Sequence, residues 1–570
     1  MNAWQAGDEH VAYVSMEVAI ENDANTYAGG LGVLAGDTLR AFADSDIPAV
    51  GVMPLNDAGL GEQHIEDGTQ TYEAADWDPA EFFDPLDVSV TVTLGGESVI
   101  VGAWRYDVET ATGSVPLVAL DTDRPENPEW ARSLTRPVYG VGLDRDDALA
   151  QEAVLGIGAV RVLDALDYDV HTYHLNEGHA SPLVLELLRR TGINPDAVRE
   201  RCVFTTHTPV EAAHESYAYD RLNELLDFPE ALACVREQTD AESYHTTRVA
   251  LAFSRYANAV SKRHQWVTHD LFPDYREHID AITNGVHVPT WLGTHVADCL
   301  DAYIDGYRRA PSRLRHATLI GDDDLWAAHQ AQKRDFFDLV AERTGVDLDA
   351  DVLTLGFARR AVPYKRPTLL FEDTDRLKRI AAHANGLQVV FAGKGFPGDD
   401  AGDDLVAEVH DHIDALSGDV PMAYLPDYDL EIGRRMTAGV DVWLNTPRRP
   451  REACGTSGMK AALNGVPQLS TLDGWWVEGH VADTTGWRIG PPPFDPETQS
   501  LSDAAEDDVD STALYDRLAD DVLPAYYADR DHWLDVMRNC IALNGAHYHA
   551  GRMLDEYRAS AYAGSVSGSR

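Results

Sequence analysis

Residues 452–465 read EACGTSGMKAALNG, and residues 471–478 follow with TLDGWWVE. Small and hydroxyl-bearing residues, from Gly455 through Thr456 and Ser457 to Gly458, lead directly into an apolar run that predicts a helix. The free backbone N–H groups at a helix N-terminus, with two hydroxyls beside them, attract anions. The pattern therefore predicts an anion-binding site at the start of this helix.

A lysine lies one turn into the predicted helix. Lys460 is flanked by Met459 and two alanines, a setting in which an ammonium group is poorly hydrated and its amine can attack an aldehyde. A phosphate pocket beside a Schiff-base lysine suggests pyridoxal phosphate, because one ligand would occupy both features. Ordinary capping residues and a lysine packed along the surface would give the same spacing, so the motif alone leaves both interpretations open.

The segment resembles the cofactor-lysine signature of the glycogen (α-glucan) phosphorylase family, which reads E-A-S-G-T-x-x-M-K and continues, after N-G, with T-L-D-G. Further stretches between residues 15 and 398 resemble other motifs of that family in the same order. The resemblance implies a retaining phosphorylase that transfers the terminal glucosyl unit of an α-1,4-glucan (glycogen, starch or maltodextrin) to inorganic phosphate. The product would be glucose 1-phosphate. The implied cofactor is pyridoxal 5'-phosphate, tethered by Lys460 and acting through its phosphate group.

The charge of the chain is strongly negative. Its 570 residues include 46 Lys and Arg against 95 Asp and Glu, a formal net charge of −49, which argues against nucleic acid or an anionic membrane surface as a partner. Lysine occurs at six positions, so 46 − 6 = 40 of the basic residues are arginine. An acidic chain with so little lysine suggests a halophilic cytoplasm, where a Debye length of about 3 Å at 1 M salt lets an acidic protein bind phosphate.

Targeting and cross-linking signals are weak. The N-terminus lacks a basic region followed by an apolar run, and no stretch is long and apolar enough for a membrane helix, so we expect a cytoplasmic protein without membrane partners. Five cysteines without paired spacing argue against a disulfide framework or a zinc site. We recognise no regulatory segment. The oligomeric state stays open, a homo-oligomer included.

The alternation of strands and helices predicts an α/β fold with parallel sheets. In the second half, strands are predicted at 352–357, 388–392, 421–424 and 440–444, with helices at 367–384, 402–415 and 429–438. The resemblance implies two Rossmann-like domains facing a cleft, the B-type glycosyltransferase fold, with a C-terminal helix that crosses back to the first domain. We place the boundary near 290, giving domains 1–290 and 291–570.

A glycine-rich stretch, YAGGLGVLAGD at 27–37, follows the predicted strand 11–17 and precedes a predicted helix at 38–44. Its amides would lie close to a phosphate or sugar oxygen. The stretch resembles the family's glycine loop, which implies that Gly30 binds the cofactor phosphate and Leu31 contacts substrate. Glycogen synthases carry a similar loop, so it does not separate the two families.

Histidines end two predicted strands, in HLNEGH at 174–179 and TTHTP at 205–209. Zinc bound by His174, His179 and His207 is an alternative that no carboxylate or cysteine pattern supports, and we assign no metal. Both stretches resemble family motifs, which imply that His207 is a catalytic residue contacting the sugar. A further match, NGVHVPTWL at 284–292, makes Asn284 a candidate for a sugar hydroxyl.

The basic loop, ARRAVPYKR at 358–366, places four cations after a predicted strand, a pattern suited to phosphate binding. The resemblance implies that Arg359 reaches the cofactor phosphate, with Thr456 and Ser457, while Arg360 and Lys365 hold inorganic phosphate. It assigns Glu452 and Gly455 to glucose hydroxyls. The loop GKGFPG at 393–398 is interpreted as support, and Lys333 and Lys378 as surface residues of helices.

Departures from the family pattern occur at Cys454, Gly458 and the pair Trp475 and Trp476, whose rings could stack on sugars. The chain is also much shorter than the family's long forms and shows no recognisable regulatory segment, which indicates a short, unregulated type of phosphorylase. Two other functions stay open. One is a nucleotide-sugar-dependent glucosyltransferase of the glycogen synthase kind, and the other is a catalytically silent glucan-binding protein.

Overall fold

A computed structural model describes residues 9–66, 68–73, 75, 77–140, 145–383, 385–495 and 501–562. The chain forms two compact units. Unit 1 contains residues 1–61, 74–283 and 551–570, and unit 2 contains residues 62–73 and 284–550. Both are built on largely parallel sheets with helices, which confirms the predicted α/β class. Within the described ranges, no helix combines the length and apolar content needed to cross a membrane.

Unit 1 is organised around one sheet, which has nine strands in the described part of the chain. Their order is β9-β8-β7-β6-β1-β2-β5-β4-β3, and all neighbours from β9 to β5 are parallel, while β4 is antiparallel to β5 and β3. The strands are β1 (His10–Ser15), β2 (Ala49–Pro54), β3 (Asp84–Leu94), β4 (Glu97–Glu109), β5 (Ser114–Asp121), β6 (Val170–Asn176), β7 (Cys202–Thr206), β8 (Tyr256–Ala259) and β9 (Ile279–Ala281).

Helices pack on this sheet because its central strands are apolar on both faces. Every residue of β1 and β2 is buried, the pattern of a parallel sheet covered on both sides. The main helices are Gly30–Ala43, Arg145–Ala165, Leu183–Arg190, Pro195–Arg199, Tyr219–Leu225, Pro229–Thr239, Thr246–Ala252 and Lys262–Leu271, followed by Ala550–Tyr557, whose residues from Gly551 belong to this unit. A two-stranded ribbon, Ser216–Ala218 with Ser243–His245, completes it.

The sheet of unit 1 changes direction between β1 and β6. From β1 the chain proceeds through β2 to one edge, and from β6 it proceeds through β7 and β8 to the other. In open α/β sheets the crevice at such a switch point, outside the carboxyl ends of the strands, is where ligands bind. Here Asn176 donates from Nδ2 to Ser15 Oγ at 2.9 Å, joining the two strand ends.

Unit 2 has a parallel sheet of six strands, again counting described residues, in the order β12-β11-β10-β13-β14-β15. Numbered from its own first strand this is 3-2-1-4-5-6, with the switch point between β10 and β13. The strands are β10 (Thr354–Ala358), β11 (Gln388–Ala392), β12 (Met422–Leu425), β13 (Val442–Asn445), β14 (Gln468–Thr471) and β15 (Gly486–Ile489).

The helices of unit 2 alternate with these strands. They are Val288–Trp291, Thr294–Tyr303, Asp322–Thr344, Thr374–His383, Asp400–Leu416, Leu430–Gly439, Thr456–Leu463, Trp476–Gly479, Asp503–Arg517, Leu523–Ala528 and Arg530–Asn539. A hairpin, Glu62–Glu66 with Thr69–Glu73, also belongs to this unit. The main-chain N–H of Gln63 donates to Asp427 Oδ1 at 3.0 Å.

The predicted helix at 38–44 is wrong in its start, because the helix begins at Gly30. Its glycines serve close packing rather than a loop. A Cβ at Gly36 would lie 2.1 Å from the carbonyl oxygen of Ala19, and one at Gly32 would lie 2.6 Å from Tyr27 Cβ. The predicted helix at 367–384 also begins late, at Thr374, after a single tight turn at Leu369–Phe371.

The interpretation of Lys333 as a surface residue is wrong. Its side chain is fully buried, and Nζ lies 2.5 Å from Asp441 Oδ2 and donates to the carbonyl of Val352 at 2.7 Å. Asp441 also contacts His329 Nε2 at 2.8 Å. Burial acts to raise the pKa of Asp441, but Lys333 and His329 hold it below its ordinary value. This group links the helix Asp322–Thr344 to the sheet.

Candidate active site

The helix Thr456–Leu463, called the signature helix below, begins where the sequence predicts it. Gly455 precedes it in the left-handed region, with φ +86, a conformation that favours glycine. The next glycine is also required, because a Cβ at Gly458 would lie 1.7 Å from Gln468 Oε1. Ser457 Oγ receives a hydrogen bond from Trp443 Nε1 at 3.2 Å. The first turn of the helix is thus held against the sheet.

Lys460 is buried on the signature helix, with 6% of its surface exposed. Its Nζ lies 3.6 Å from the ring centroid of Trp291, a cation–π contact. Asn464 fixes this arrangement, since its Nδ2 donates to the Trp291 carbonyl at 2.8 Å and its Oδ1 accepts from the Gly293 N–H at 2.7 Å. The motif at 284–292 therefore provides the aromatic surface under the lysine, a role that the sequence did not predict.

Glu452 brings two of the predicted cations together. Its Oε2 accepts hydrogen bonds from the Arg359 guanidinium and from Lys365 Nζ, the latter at 2.5 Å. Burial acts to raise the pKa of Glu452, but the two cations overcome it and lower the pKa to about 2. The main-chain N–H of Glu452 donates to Asp473 Oδ2 at 2.8 Å, which ties the TLDG segment to the same place.

A series of hydrogen-bonded side chains connects Arg359 to the signature helix. Arg359 follows β10 at the switch point of unit 2, and its Nη1 donates to Asn445 Oδ1 at 2.5 Å, at the end of β13. Asn445 Nδ2 in turn donates to Gln468 Oε1 at 3.1 Å, and that amide lies against Gly458. Neither Asn445 nor Gln468 was predicted as a site residue, because each is an isolated polar residue in an apolar strand pattern.

Arg360 lies on the same basic loop but is exposed. Its guanidinium carbon is 4.5 Å from the ring centroid of Phe396, a residue of the loop at 393–398. In that loop Lys394 pairs with Asp427, and Gly393 (φ +145) allows the Arg359 carbonyl to approach so closely that a Cβ would lie 2.0 Å from it. The two loops pack together, so the second one supports the first.

His207 of unit 1 is held from two sides. Its Nε2 contacts Asn176 Oδ1 at 2.7 Å, and its main-chain N–H donates to Glu177 Oε2 at 2.6 Å. Glu177 has a positive φ of 76, unusual for a residue with a side chain, and also accepts from the Thr208 hydroxyl at 3.0 Å. Burial lowers the pKa of His207 to about 4, so its imidazole is neutral at pH 7.

The glycine stretch of unit 1 is organised by a carboxylate that the sequence did not single out. Glu17 Oε2 accepts the main-chain N–H groups of Ala28 and Gly29, at 2.6 and 3.0 Å. The next two residues, Gly30 and Leu31, begin the helix; Gly30 is exposed and Leu31 is half-buried. These two therefore present the helix N-terminus, while the preceding amides are already satisfied.

His174 does not join a metal site with His207. Its Nδ1 contacts the Tyr562 hydroxyl at 2.7 Å and its Nε2 contacts Thr205 Oγ1 at 2.8 Å. Burial, followed by the nearby His207, lowers the pKa of His174 to about 3. A neutral imidazole with both nitrogens engaged is a structural residue of the core.

The predicted residues fall into two groups. Gly30, Leu31 and His207 belong to unit 1, and the other nine belong to unit 2. Among the latter, Arg359, Lys365 and Glu452 are in direct contact. Asn284 is buried at the start of unit 2. Trp475 and Trp476 are each 1% exposed, and Trp475 packs 4.8 Å from Tyr548, so packing rather than sugar stacking is the role that their positions support.

The chemistry of unit 2 fits pyridoxal phosphate. A buried primary amine lies on the same helix as an N-terminus preceded by glycine and followed by the hydroxyls of Thr456 and Ser457. Arg359 is linked by hydrogen bonds through Asn445 to Gln468, the β14 side chain that packs against this helix. The donor set therefore includes an amine, hydroxyls, amides and a guanidinium, which are the groups that an aldehyde bearing a phosphate requires.

The chain has two α/β units, and buried cations lie together at the switch point of the sheet in one of them. This arrangement indicates an enzyme that binds anionic ligands. Comparison with known proteins makes the class specific. Residues 228–486 match the family model described as carbohydrate phosphorylase.

Several relatives align with nearly the whole chain. A maltodextrin phosphorylase from Thermococcus litoralis is 35% identical, with 96% of this chain and 70% of the relative covered. A glycogen phosphorylase from Aquifex aeolicus is 33% identical, with 96% and 85% covered. An uncharacterized protein from Methanocaldococcus jannaschii is 31% identical, with 97% and 99% covered. The chain belongs to the carbohydrate phosphorylase family, and the predicted family is confirmed.

Proposed function

We propose that this enzyme is a retaining α-1,4-glucan phosphorylase that transfers the terminal glucosyl unit of glycogen, starch or maltodextrin to inorganic phosphate, giving glucose 1-phosphate. The observation that carries the proposal is the meeting of Arg359 and Lys365 at the Glu452 carboxylate, in the unit that also buries Lys460. The names of the relatives support the same activity. The comparisons give no support to a nucleotide-sugar glucosyltransferase or a silent binder.

The residues of unit 2 would hold the cofactor and the phosphate substrate. Lys460 would tether pyridoxal phosphate, and Arg359, Thr456 and Ser457 would bind its phosphate, with the Gly30 amide contributing. When bound, the cofactor supplies a phosphate with a second pKa near 6, suited to exchanging protons near neutral pH. Arg360 and Lys365 would hold inorganic phosphate.

The close approach of two phosphates is opposed by their like charges, and the cations of the basic loop would offset this repulsion. Glu452 holds Arg359 and Lys365 in position before any anion binds, so little reorganisation is needed. Arg360, whose side chain is exposed beside Phe396, is the cation of this loop most open to an incoming phosphate.

The sugar would be oriented by His207, Asn284, Glu452, Gly455 and Leu31. Because Asn176 Oδ1 contacts Nε2 of His207, the neutral ring carries its proton on that nitrogen. Its Nδ1 is then an acceptor for a sugar hydroxyl. A pKa lowered to about 4 makes His207 a hydrogen-bonding residue at pH 7 rather than an acid.

We further propose that residues 1–290 and 291–570 act as two Rossmann-like domains facing a cleft, with the C-terminal helix crossing back to the first. Each unit has a largely parallel sheet with a switch point, and residues from Gly551 are part of unit 1. The sugar-binding histidine would lie on one side and the phosphate cations on the other.

The test is phosphorolysis by the purified full chain in high salt, read as glucose 1-phosphate release from maltodextrin and glycogen. Absorption spectra before and after borohydride reduction, with peptide mapping, would locate the cofactor. We expect a near-ultraviolet or violet band that reduction fixes on Lys460, and Lys460→Ala should lose both band and activity. Lys378→Ala, a partly exposed lysine paired with Asp419, is the matched control.

Two results would overturn the proposal. One is full phosphorolysis by the Lys460→Ala variant. The other is a folded, cofactor-supplemented enzyme that lacks the band and instead transfers glucose from a nucleotide sugar, which would establish the synthase-like alternative.

A further inference from the structure

Three side chains with metal-binding atoms meet inside unit 1, next to the turn that holds His207. Each of Glu152, His179 and Glu215 offers one ligand atom, and these atoms all lie within 4.8 Å of one another. Glu152 comes from the helix Arg145–Ala165, His179 from the turn Gly178–Ala180 after β6, and Glu215 from the residue before the ribbon strand Ser216–Ala218. Their wide separation along the chain explains why the histidine motifs alone suggested no carboxylate ligands.

The carboxylate of Glu152 is buried close to the side chains of Glu215 and Tyr217. The residue is 2% exposed, and neither of its oxygens meets a hydrogen-bond partner in the part of the chain that the structure describes. His179 Nδ1 is likewise buried without one, within the same described residues. Leaving a buried carboxylate unpaired is costly, so such groups neutralise or bind a cation.

The rest of the cluster is braced in the way that metal ligands commonly are. Tyr217 donates its hydroxyl to Glu215 Oε2 at 2.5 Å. The Tyr139 ring lies 5.2 Å from the His179 ring, centroid to centroid. An aromatic ring and a phenol thus lie beside the proposed ligands.

We infer that Glu152, His179 and Glu215 bind one divalent transition-metal ion, Zn²⁺ or Mn²⁺. One imidazole nitrogen with two carboxylate oxygens suits these ions, whereas an all-oxygen set would suit Mg²⁺ or Ca²⁺.

The ion would have a positioning role, because it would fix the turn next to His207, the residue proposed to contact the sugar. It joins a helix, a strand-ending turn and the segment after His207, and His179 is two residues from Glu177, which receives the His207 main-chain N–H. Glu177 holds its positive φ within this same turn. A ligand that fixes His179 therefore fixes the backbone on which His207 depends.

The experiment measures metal content and thermal stability of the full chain, without glucan or pyridoxal phosphate. Purified protein is stripped with a chelator, incubated with Zn²⁺ or Mn²⁺ alone, passed through a desalting column and analysed by elemental mass spectrometry. We expect one ion per chain and a higher melting temperature than in the stripped protein. Glu152→Gln and His179→Gln should each weaken metal affinity more than about tenfold.

Glu211→Gln, at an exposed glutamate near Glu215, is the matched control and should bind the ion like the unmodified chain. The inference is overturned if the stripped wild-type chain retains neither ion and its melting temperature does not respond. It is also overturned if uptake survives equally in both ligand variants. Because wild-type uptake decides the first outcome, a variant that fails to fold does not block the test, and neither readout depends on the proposed phosphorolysis.

Discussion

At the scale of single residues, Glu452 shows how one carboxylate prepares a phosphate site. It pairs with Arg359 and Lys365 in a buried position, where two unpaired cations would be costly. Its main-chain N–H is anchored by Asp473. The family resemblance assigns Glu452 to the sugar, and the structure adds an electrostatic role toward the two cations.

The first prediction concerns the acid stability of Glu452→Gln. The folded-state pKa of this group is about 2, below the ordinary 4.5, so its stabilising contribution is complete above pH 4.5 and is lost as the pH falls toward 2. We expect the variant to be less stable by about 3 kcal/mol at pH 7, with the difference shrinking below pH 4.5. Denaturant unfolding between pH 3 and pH 7 measures it. A difference that does not change with pH would contradict the assignment.

The second prediction concerns Lys333, whose ammonium pairs with Asp441 in the core. Lys333→Met should lower the free energy of unfolding by about 3–5 kcal/mol, because Asp441 would stay buried with one cation fewer. Lys378→Met is the matched control, at a partly exposed pair, and should cost less than about 1 kcal/mol. Urea unfolding measures both variants. An equal decrease in the free energy of unfolding would show that the buried pair stabilises the fold no more than the partly exposed one.

At the scale of elements, the signature helix depends on how closely it approaches β14. A Cβ at Gly458 would collide with Gln468 Oε1, the atom that accepts a hydrogen bond from Asn445 Nδ2. The third prediction is that Gly458→Ala destabilises the protein by about 1–3 kcal/mol and weakens binding of pyridoxal phosphate, since Asn445 also holds Arg359. Thermal unfolding and the affinity for pyridoxal phosphate are the measurements.

Gly418→Ala provides the comparison, because no atom lies within 4 Å of a Cβ at that position. It should be neutral or slightly stabilising. If Gly458→Ala behaves like this control, then the contact with Gln468 is easily relieved and the helix is not locked as described.

The sequence predicts the elements of unit 2 well because their apolar periodicity agrees with their burial. The strand predicted at 388–392 is observed as Gln388–Ala392, and the helix predicted at 429–438 as Leu430–Gly439. It fails where tertiary contact decides. Gly30 begins a helix although glycine favours a loop, and Lys333 is buried by a partner more than a hundred residues away. The cluster of Glu152 with Glu215 is likewise a product of the fold.

At the scale of the whole molecule, the net charge of −49 should dominate the response to salt. The fourth prediction is that the melting temperature rises with KCl, most steeply below about 1 M, as the Debye length falls from about 10 Å to about 3 Å. Calorimetry from 0.1 to 3 M KCl measures this, and sucrose at matched water activity controls for solute exclusion. A flat or falling profile would remove the halophilic interpretation.

The return of the last residues to unit 1 affects how the chain matures during synthesis. Unit 1 contains residues 551–570, and Tyr557 and Tyr562 contact Thr205 and His174 in its interior. A ribosome must therefore finish residues 284–550 before the first sheet can complete its core. Until then His174 lacks its tyrosine partner, so the first unit stays incomplete until residues 551–562 have been synthesised.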